Sequence, residues 1–279
     1  MKEYLDLAKL VIEQGSLKKS RTGIDTISYF GAHYKVDLSK GFPLLTTKEI
    51  NWSSLLHELL WYLSGEDHIR NLRQHTKIWN AWADADGNLE TAYGRYWRRF
   101  PSPYKGEDGQ WSVREIDQIQ YVIDTLKRDP TNRRMVVTAW EPGNAITSKL
   151  PPCHYSFVFS SQGDALSCHL TQRSGDIALG IPFNLAAYAA LTQMIAQEVG
   201  MKPGWFSHTI VDAHIYTASP ESGLAEYDHV PGVREQLKRE PRPLPRLIIA
   251  KKPFGELKFE DFKLEGYDPQ PKIKFKVAV

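Results

Sequence analysis

Two cysteines are few for 279 residues, and Cys153 and Cys168 neither form a CxxC pair nor stand near histidines at the spacing of a structural zinc site. A disulfide-stapled fold and a structural metal centre are therefore not expected. Charge of one sign is also lacking: 35 Lys and Arg face 33 Asp and Glu, a formal net charge of +2. No global field points to nucleic acid or to a membrane surface, so an anionic partner has to be met locally. No stretch reaches the roughly 18 consecutive apolar residues of a membrane span. The N-terminal MKEYLDLAKLVIEQG carries acids every few positions, unlike the apolar centre of a signal peptide. A soluble protein in a reducing, cytoplasmic setting is the expectation.

What is present is ordinary globular composition, 42% hydrophobic and 24% charged, in a chain long enough to bury a sizeable core. Tyr4, Leu7, Ala8, Leu10 and Val11 recur at helical spacing and Gly15 is placed to end that helix. RTGIDTISYFGAHYKVDL switches to period two and suggests a strand hairpin. SSLLHELLWYLS, residues 53–64, reads as an apolar helix holding one acid, Glu58, closed by Gly65. Residues 80–109 read as loops around a short YGRYW element, and a helix is expected over 116–128 before Asp129 and Pro130. Strand-like runs follow at 135–140, 155–160 and 165–171. NLAAYAALTQMIAQEV, residues 184–199, is apolar on nearly every face, as a helix at the centre of a fold would be. Strand returns from Trp205 to Ile215, followed by a surface segment. No repeat or linker divides the chain, so one α+β domain is the simplest reading.

LPPCHYSFVF places Cys153 where the Pro151–Pro152 pair fixes the chain before a strand, a position suited to presenting a nucleophile. Cys168, in the alternating SCHLT, reads as structural. A thiol of ordinary pKa near 8.5 needs a cationic neighbour to be a thiolate near neutrality. His154 is adjacent, but successive strand residues face opposite ways, so arginines from elsewhere are better placed. Arg173 in QRSGD and the pair Arg133 and Arg134 are the candidates; such forks also grip phosphate, although paired arginines are more often a solvated surface. Glu58 either faces water or enters a pocket where burial raises its pKa into the range useful for proton transfer. Asn184 in LGIPFN is either an N-cap or an amide reading a planar heterocycle.

Taken together, RTG, FPLLTTK, HELLWYLSG, IWNAW, AYGRYWR, NRRMVV, LPPCH, QRSGDIALGIPFNLAAYA, DAHIY and the terminal VAV, in this order, resemble the thymidylate synthase family over nearly the whole chain. The resemblance implies a single α+β catalytic domain over residues 1–279, with a large mixed β-sheet, a buried central helix and surrounding helices. It implies reductive methylation of dUMP to dTMP, with 5,10-methylenetetrahydrofolate as one-carbon and hydride donor and no metal. It implies Cys153 as the nucleophile on C6 of the pyrimidine, with Glu58, Tyr93, His154, Arg173, Asp176 and Asn184 in the catalytic machinery. Arg21, Arg173 and Ser174 would hold the phosphate, with Arg133 and Arg134 reaching across from the second subunit of a homodimer. Asp176 and Asn184 would also bind the nucleotide, Asn184 by reading the uracil edge, and His214 and Tyr216 would contact the deoxyribose. Trp79, Asp176, Leu179, Gly180 and Phe183 would bind folate, and Ala278 and Val279 would close over the complex. Neither membrane nor nucleic acid is an expected partner, with binding to its own messenger RNA left open.

Some positions depart from the family pattern. Glu49 and Asn51 stand where basic or histidine residues that hold the folate tail are common, Asn80 and Ala81 where acids are usual, and Val158 where Gln is common. The segment 218–237 is longer than expected. These leave two alternatives: a hydroxymethylase that finishes the same adduct with water, and, motivated by the basic run Arg95 to Arg99, a nucleotide- or RNA-binding protein without turnover.

Overall fold

The run from Leu185 to Ala196 is apolar on every side of a helix, so it can be stable only where other elements surround it. In a computed structural model of the chain, which describes residues 1–20, 23–90, 92–219 and 222–277, that helix is buried nearly end to end. In chain order the elements are α1 (Lys2–Gln14), β1 (Ser16–Lys18), β2 (Asp25–Asp37), α2 (Trp52–Ser64), α3 (Tyr93–Arg98), β3 (Phe100–Lys105), β4 (Trp111–Ile116), α4 (Gln118–Arg128) and β5 (Val136–Thr138). There follow α5 (Pro142–Thr147), β6 (His154–Gln162), β7 (Ala165–Asp176), α6 (Gly180–Glu198), β8 (Lys202–Thr217), α7 (Val230–Leu237), β9 (Arg246–Ile249) and β10 (Phe262–Glu265). The architecture is α+β. No described helix is long and apolar enough to cross a membrane.

The chain divides into two compact units, Met1–Asn51 with Gln162–Val279, and Trp52–Ser161. In the first, β1, β2, β8 and β7 lie side by side in a mixed arrangement: β1–β2 and β2–β8 pair antiparallel, β8–β7 parallel. The alternating run beginning at Asp25 is thus one unbroken strand whose hairpin partner is the short β1 before it. Between the parallel β7 and β8 the chain crosses over through α6. Alanines 186, 187, 189 and 190 keep that helix slim where it packs on both strands. At the end of β7, Gly175 is required by this closeness, because a Cβ there would lie 2.6 Å from Ile181 Cδ1 and 3.0 Å from Ile210 Cγ2. The parallel register sets Ser174 opposite Asp212 and Asp176 opposite His214.

In the second unit, α2 and α3 pack together, and Gly94 is what lets them touch: a Cβ on it would sit 2.3 Å from the Tyr62 carbonyl oxygen. Asp117 caps α4, its side chain accepting from the Gln120 N–H at 2.9 Å. The Gln118 amide donates to the carbonyls of Tyr96 and Thr138, both at 2.8 Å, and so ties α3 to β5. Strands β5 and β6 pair antiparallel, Val137 opposite Phe157, with Trp97 edge-on to Phe157 at 5.0 Å. Strands β3 and β4 form a separate hairpin; β3 falls within residues 80–109, which sequence reads as loop, and β4 follows that stretch.

Candidate active site

Helix α2 offers Glu58 and Tyr62 four residues apart, hence on one face. Tyr62 Oη donates to Glu58 Oε1 at 2.8 Å, and Trp79 Nε1 donates to the same oxygen at 2.7 Å. Burial pushes the Glu58 carboxyl up to about 7, against the opposing pull of these two donors. Of the two options open for Glu58, the pocket is the one realised. Aromatic rings make its walls: Tyr62 lies 5.2 Å from Tyr93, and Trp79 lies 6.0 Å from Tyr93 and 5.6 Å from Trp82.

Tyr93 opens α3 and joins this cluster to the cysteine. Its ring stacks on His154 at 3.7 Å with planes 10° apart, and its hydroxyl accepts from the Cys153 backbone N–H at 2.8 Å. Cys153 is partly exposed in the bend just before β6, where the two prolines end, and its Sγ stands 4.0 Å from the Pro151 carbonyl. His154, the first residue of β6, is 6% exposed, and burial depresses its pKa to about 3. A neutral imidazole cannot supply the positive charge a thiolate needs. Cys168 is wholly buried, and burial raises its thiol far above the ordinary range. Arg133 and Arg134 precede β5; both are exposed, and among the described residues neither guanidinium meets a carboxylate.

In the first unit the β7–α6 junction gathers the other candidates. Arg173, Ser174 and Asp176 end β7, Leu179 is the N-cap of α6, and Gly180, Phe183 and Asn184 lie in its first turns. Asn184 is therefore inside the helix and not its cap, because α6 begins four residues before the apolar run suggests. Asp176 accepts from the backbone N–H groups of Ala178 at 2.8 Å and Leu179 at 3.4 Å. Burial acts to raise its pKa, but His229, His214 and the Ala178 N–H together hold it below the usual carboxylate value. His214 and Tyr216, two apart on β8, share a face with rings 5.2 Å apart. His214 Nδ1 is 3.5 Å from Asp212 Oδ1; burial opposes its protonation, yet Asp212 and Asp176 raise its pKa. Arg21, Ala278 and Val279 lie outside the described residues.

Sequence reading missed Tyr62, Lys48 and His229. Tyr62 was visible as the i+4 neighbour of Glu58. Lys48, in FPLLTTK, is buried and donates to the Ala178 carbonyl; burial depresses its ammonium to about 8, the Asp176 charge acting the other way. His229, next to α7, has no local signal.

Cys153, Tyr93, Glu58 and Trp79 bring a partly exposed thiol, a candidate nucleophile, and a near-neutral acid into one aromatic-walled cluster, an arrangement that suits addition to an electron-poor ring with proton handling close by. Residues 2–279 match the family described as thymidylate synthase. A thymidylate synthase from Haloferax volcanii is 50% identical over 326 aligned residues, covering 98% of this chain and 95% of that protein. The chain belongs to the thymidylate synthase family and is a methyltransferase.

Proposed function

We propose that this chain makes dTMP from dUMP by reductive methylation, with Cys153 as nucleophile. The observation that carries the reading is the Tyr93 hydroxyl holding the Cys153 N–H at 2.8 Å, in one cluster with a Glu58 whose pKa is about 7. The Cys153 thiolate forms a bond to C6 of the pyrimidine, and the C5–C6 π pair moves toward C5 and the O4 carbonyl. Glu58 is present in both protonation states near neutrality, so it can hold or release a proton at that carbonyl through Oε2, the oxygen not taken by Tyr62 and Trp79. Tyr93 serves the water that takes the C5 proton. Once C5 has bonded to the one-carbon unit and lost its proton, and that unit is reduced to methyl, the C5–C6 double bond re-forms with expulsion of the sulfur from C6 as thiolate. His154, neutral and stacked on Tyr93, orients that ring and carries no charge for the thiolate.

5,10-Methylenetetrahydrofolate, when bound, supplies both the carbon and the reducing equivalents. The residues at the β7–α6 junction fit such a ligand. Asp176 is an ionised carboxylate able to accept from a pterin N–H, and a Cβ on Gly180 would meet only Asn184 Oδ1 at 3.8 Å and Asp176 Cβ at 4.0 Å, so there is room beside the helix start. Leu179 and Phe183 supply apolar surface beside it, and Trp79, Ala278 and Val279 are the further folate residues that the family resemblance implies.

For the nucleotide, Asn184 reads N3 and O4 of uracil, His214 and Tyr216 take the deoxyribose, and Arg21, Arg173 and Ser174 take the phosphate. Arg133 and Arg134 of the partner subunit complete that phosphate site in a cytoplasmic homodimer. Two exposed guanidinium groups that meet no carboxylate among the described residues, and the exposed apolar Leu17, Phe30 and Val211 on β1, β2 and β8, support this. Incubation with dUMP and methylenetetrahydrofolate, followed by identification of both products, tests the reading. It stands if dTMP and dihydrofolate appear together; hydroxymethyl-dUMP with tetrahydrofolate would replace it.

A further inference from the structure

The segment Pro271–Val277 forms no strand, yet it is held along its length. Arg239 Nη1 donates to the Pro271 carbonyl at 2.6 Å, and Lys272 lies 3.4 Å from Glu49. Gly232 is pressed against Ile273 and Phe275, where a Cβ would come within 3.0 Å and 2.6 Å. Lys276 pairs with Glu226 and lies over the Tyr227 ring at 4.5 Å, and Lys48 lies over the Phe275 ring at 4.6 Å. The segment is a strap, and the long stretch before and through α7 is its saddle.

His229 sits beneath the strap, 1% exposed, its ring edge-on to Phe275 at 5.0 Å and to Tyr216 at 5.6 Å. Its Nε2 is 2.9 Å from the Lys276 carbonyl oxygen. A carbonyl can only accept, so Nε2 carries a hydrogen and the docked strap fixes the tautomer. Nδ1 is then buried with no hydrogen-bond partner among the described residues, 3.9 Å from Asp176 Oδ1. A bare lone pair facing a carboxylate at that distance is repulsive and leaves a buried polar atom unsatisfied; a proton on Nδ1 makes the approach attractive.

We propose that His229 is a positioning residue for Asp176: with the strap docked on Nε2, its Nδ1 holds a proton toward the Asp176 carboxylate and keeps it ionised and aimed. The strap thereby controls the state of a carboxylate that the proposed function places in the folate site, and the inference rests on that reading for its consequence in catalysis but not for the coupling itself. Other groups facing Asp176 are His214 from β8, Lys48 ahead of α2 and Tyr4 from α1.

The test uses the full chain, its His229→Gln variant and a variant ending at residue 272, each first shown by thermal unfolding to be folded. In the ligand-free proteins, the carboxyl carbon of Asp176 is followed by NMR against pH. Gln keeps a donor for the Lys276 carbonyl but can carry no charge, so the Asp176 titration moves to higher pH; removing the strap moves it the same way, and combining both moves it no further. An Asp176 titration unchanged in either variant overturns the proposal, as do additive shifts. In turnover, His229→Gln raises KM for the folate about tenfold, with kcat within about threefold and dUMP affinity unchanged. If the titration moves while KM does not, the coupling stands and the assignment of Asp176 to the folate fails.

Discussion

Cys153 and Glu58 are opposite problems in electrostatics. The cysteine needs positive charge that neutral His154 does not provide, whereas the glutamate is made a weak acid by burial alone. Replacing Cys153 with Ser removes the only proposed nucleophile and keeps the shape of the pocket. Product formation should fall by at least about 10⁴-fold with dUMP binding retained, as read by calorimetry; substantial turnover would remove Cys153 from the mechanism. For Glu58 the sign of the linkage matters. Its folded pKa, about 7, lies above the ordinary 4.5, so ionisation is the disfavoured state in the fold. Below about pH 4.5 the group is neutral folded or unfolded and costs nothing. The cost grows as pH rises from there and is complete above about 7, on the order of 3 kcal/mol. Glu58→Gln still accepts from Tyr62 and Trp79, so it should be inactive yet more stable than the parent at pH 8, with the advantage gone by pH 4. Denaturant unfolding at the two pH values checks this. Tyr62→Phe takes away a donor that favours the carboxylate, so the ionisation seen in the pH profile of kcat should move above about 7; an unmoved profile would mean the 2.8 Å bond does not tune Glu58.

At the scale of elements, the cluster depends on α3 resting directly on α2, and a glycine makes that possible. Gly94→Ala would drive a methyl to 2.3 Å from the Tyr62 carbonyl oxygen, on backbone that cannot give way as a flexible side chain would. The variant should lose about 1–3 kcal/mol of stability. It should also lose activity beyond what unfolding explains, because Tyr93 and Tyr62 are carried on the two helices; unfolding curves and kcat on the same sample separate the two effects. Elements with one buried face were legible in the sequence. Helices α1, α2 and α4 fall within a few residues of where apolar spacing puts them. The start of α6 was not, because Gly180, Ile181 and Pro182 look like a loop, although proline is well tolerated in a first helical turn. The β3–β4 hairpin was hidden for a different reason. Pro101 and Pro103 argue against a strand, and with Trp111 71% exposed the hairpin has no inward-facing alternation to read. Among the candidate site residues, Cys153 and Glu58 announce themselves by their neighbours. His229 could not, since its carbonyl partner is 47 residues away.

For the whole molecule, the proposed sharing of a phosphate site makes a claim about assembly that one chain cannot satisfy. Arg133 and Arg134 would serve the site of one subunit and Cys153 that of the other. A Cys153→Ser subunit lacks only the nucleophile, and an Arg133→Ala, Arg134→Ala subunit lacks only the clamp it lends. In a heterodimer of the two, one site has lost both and the other has lost neither. Random exchange makes about half of all dimers heterodimers with one intact site of two, so unfolding and refolding an equal mixture should restore about a quarter of the parent activity from two inactive proteins. The regained activity should have the parent KM for dUMP, since the restored site is unmodified. Recovery that fails, with heterodimers demonstrated by a tag on one partner, would place the two arginines on a solvated surface. Recovery at the expected level would show that neither subunit binds its nucleotide alone, and would tie catalysis to dimer concentration through charge at the phosphate.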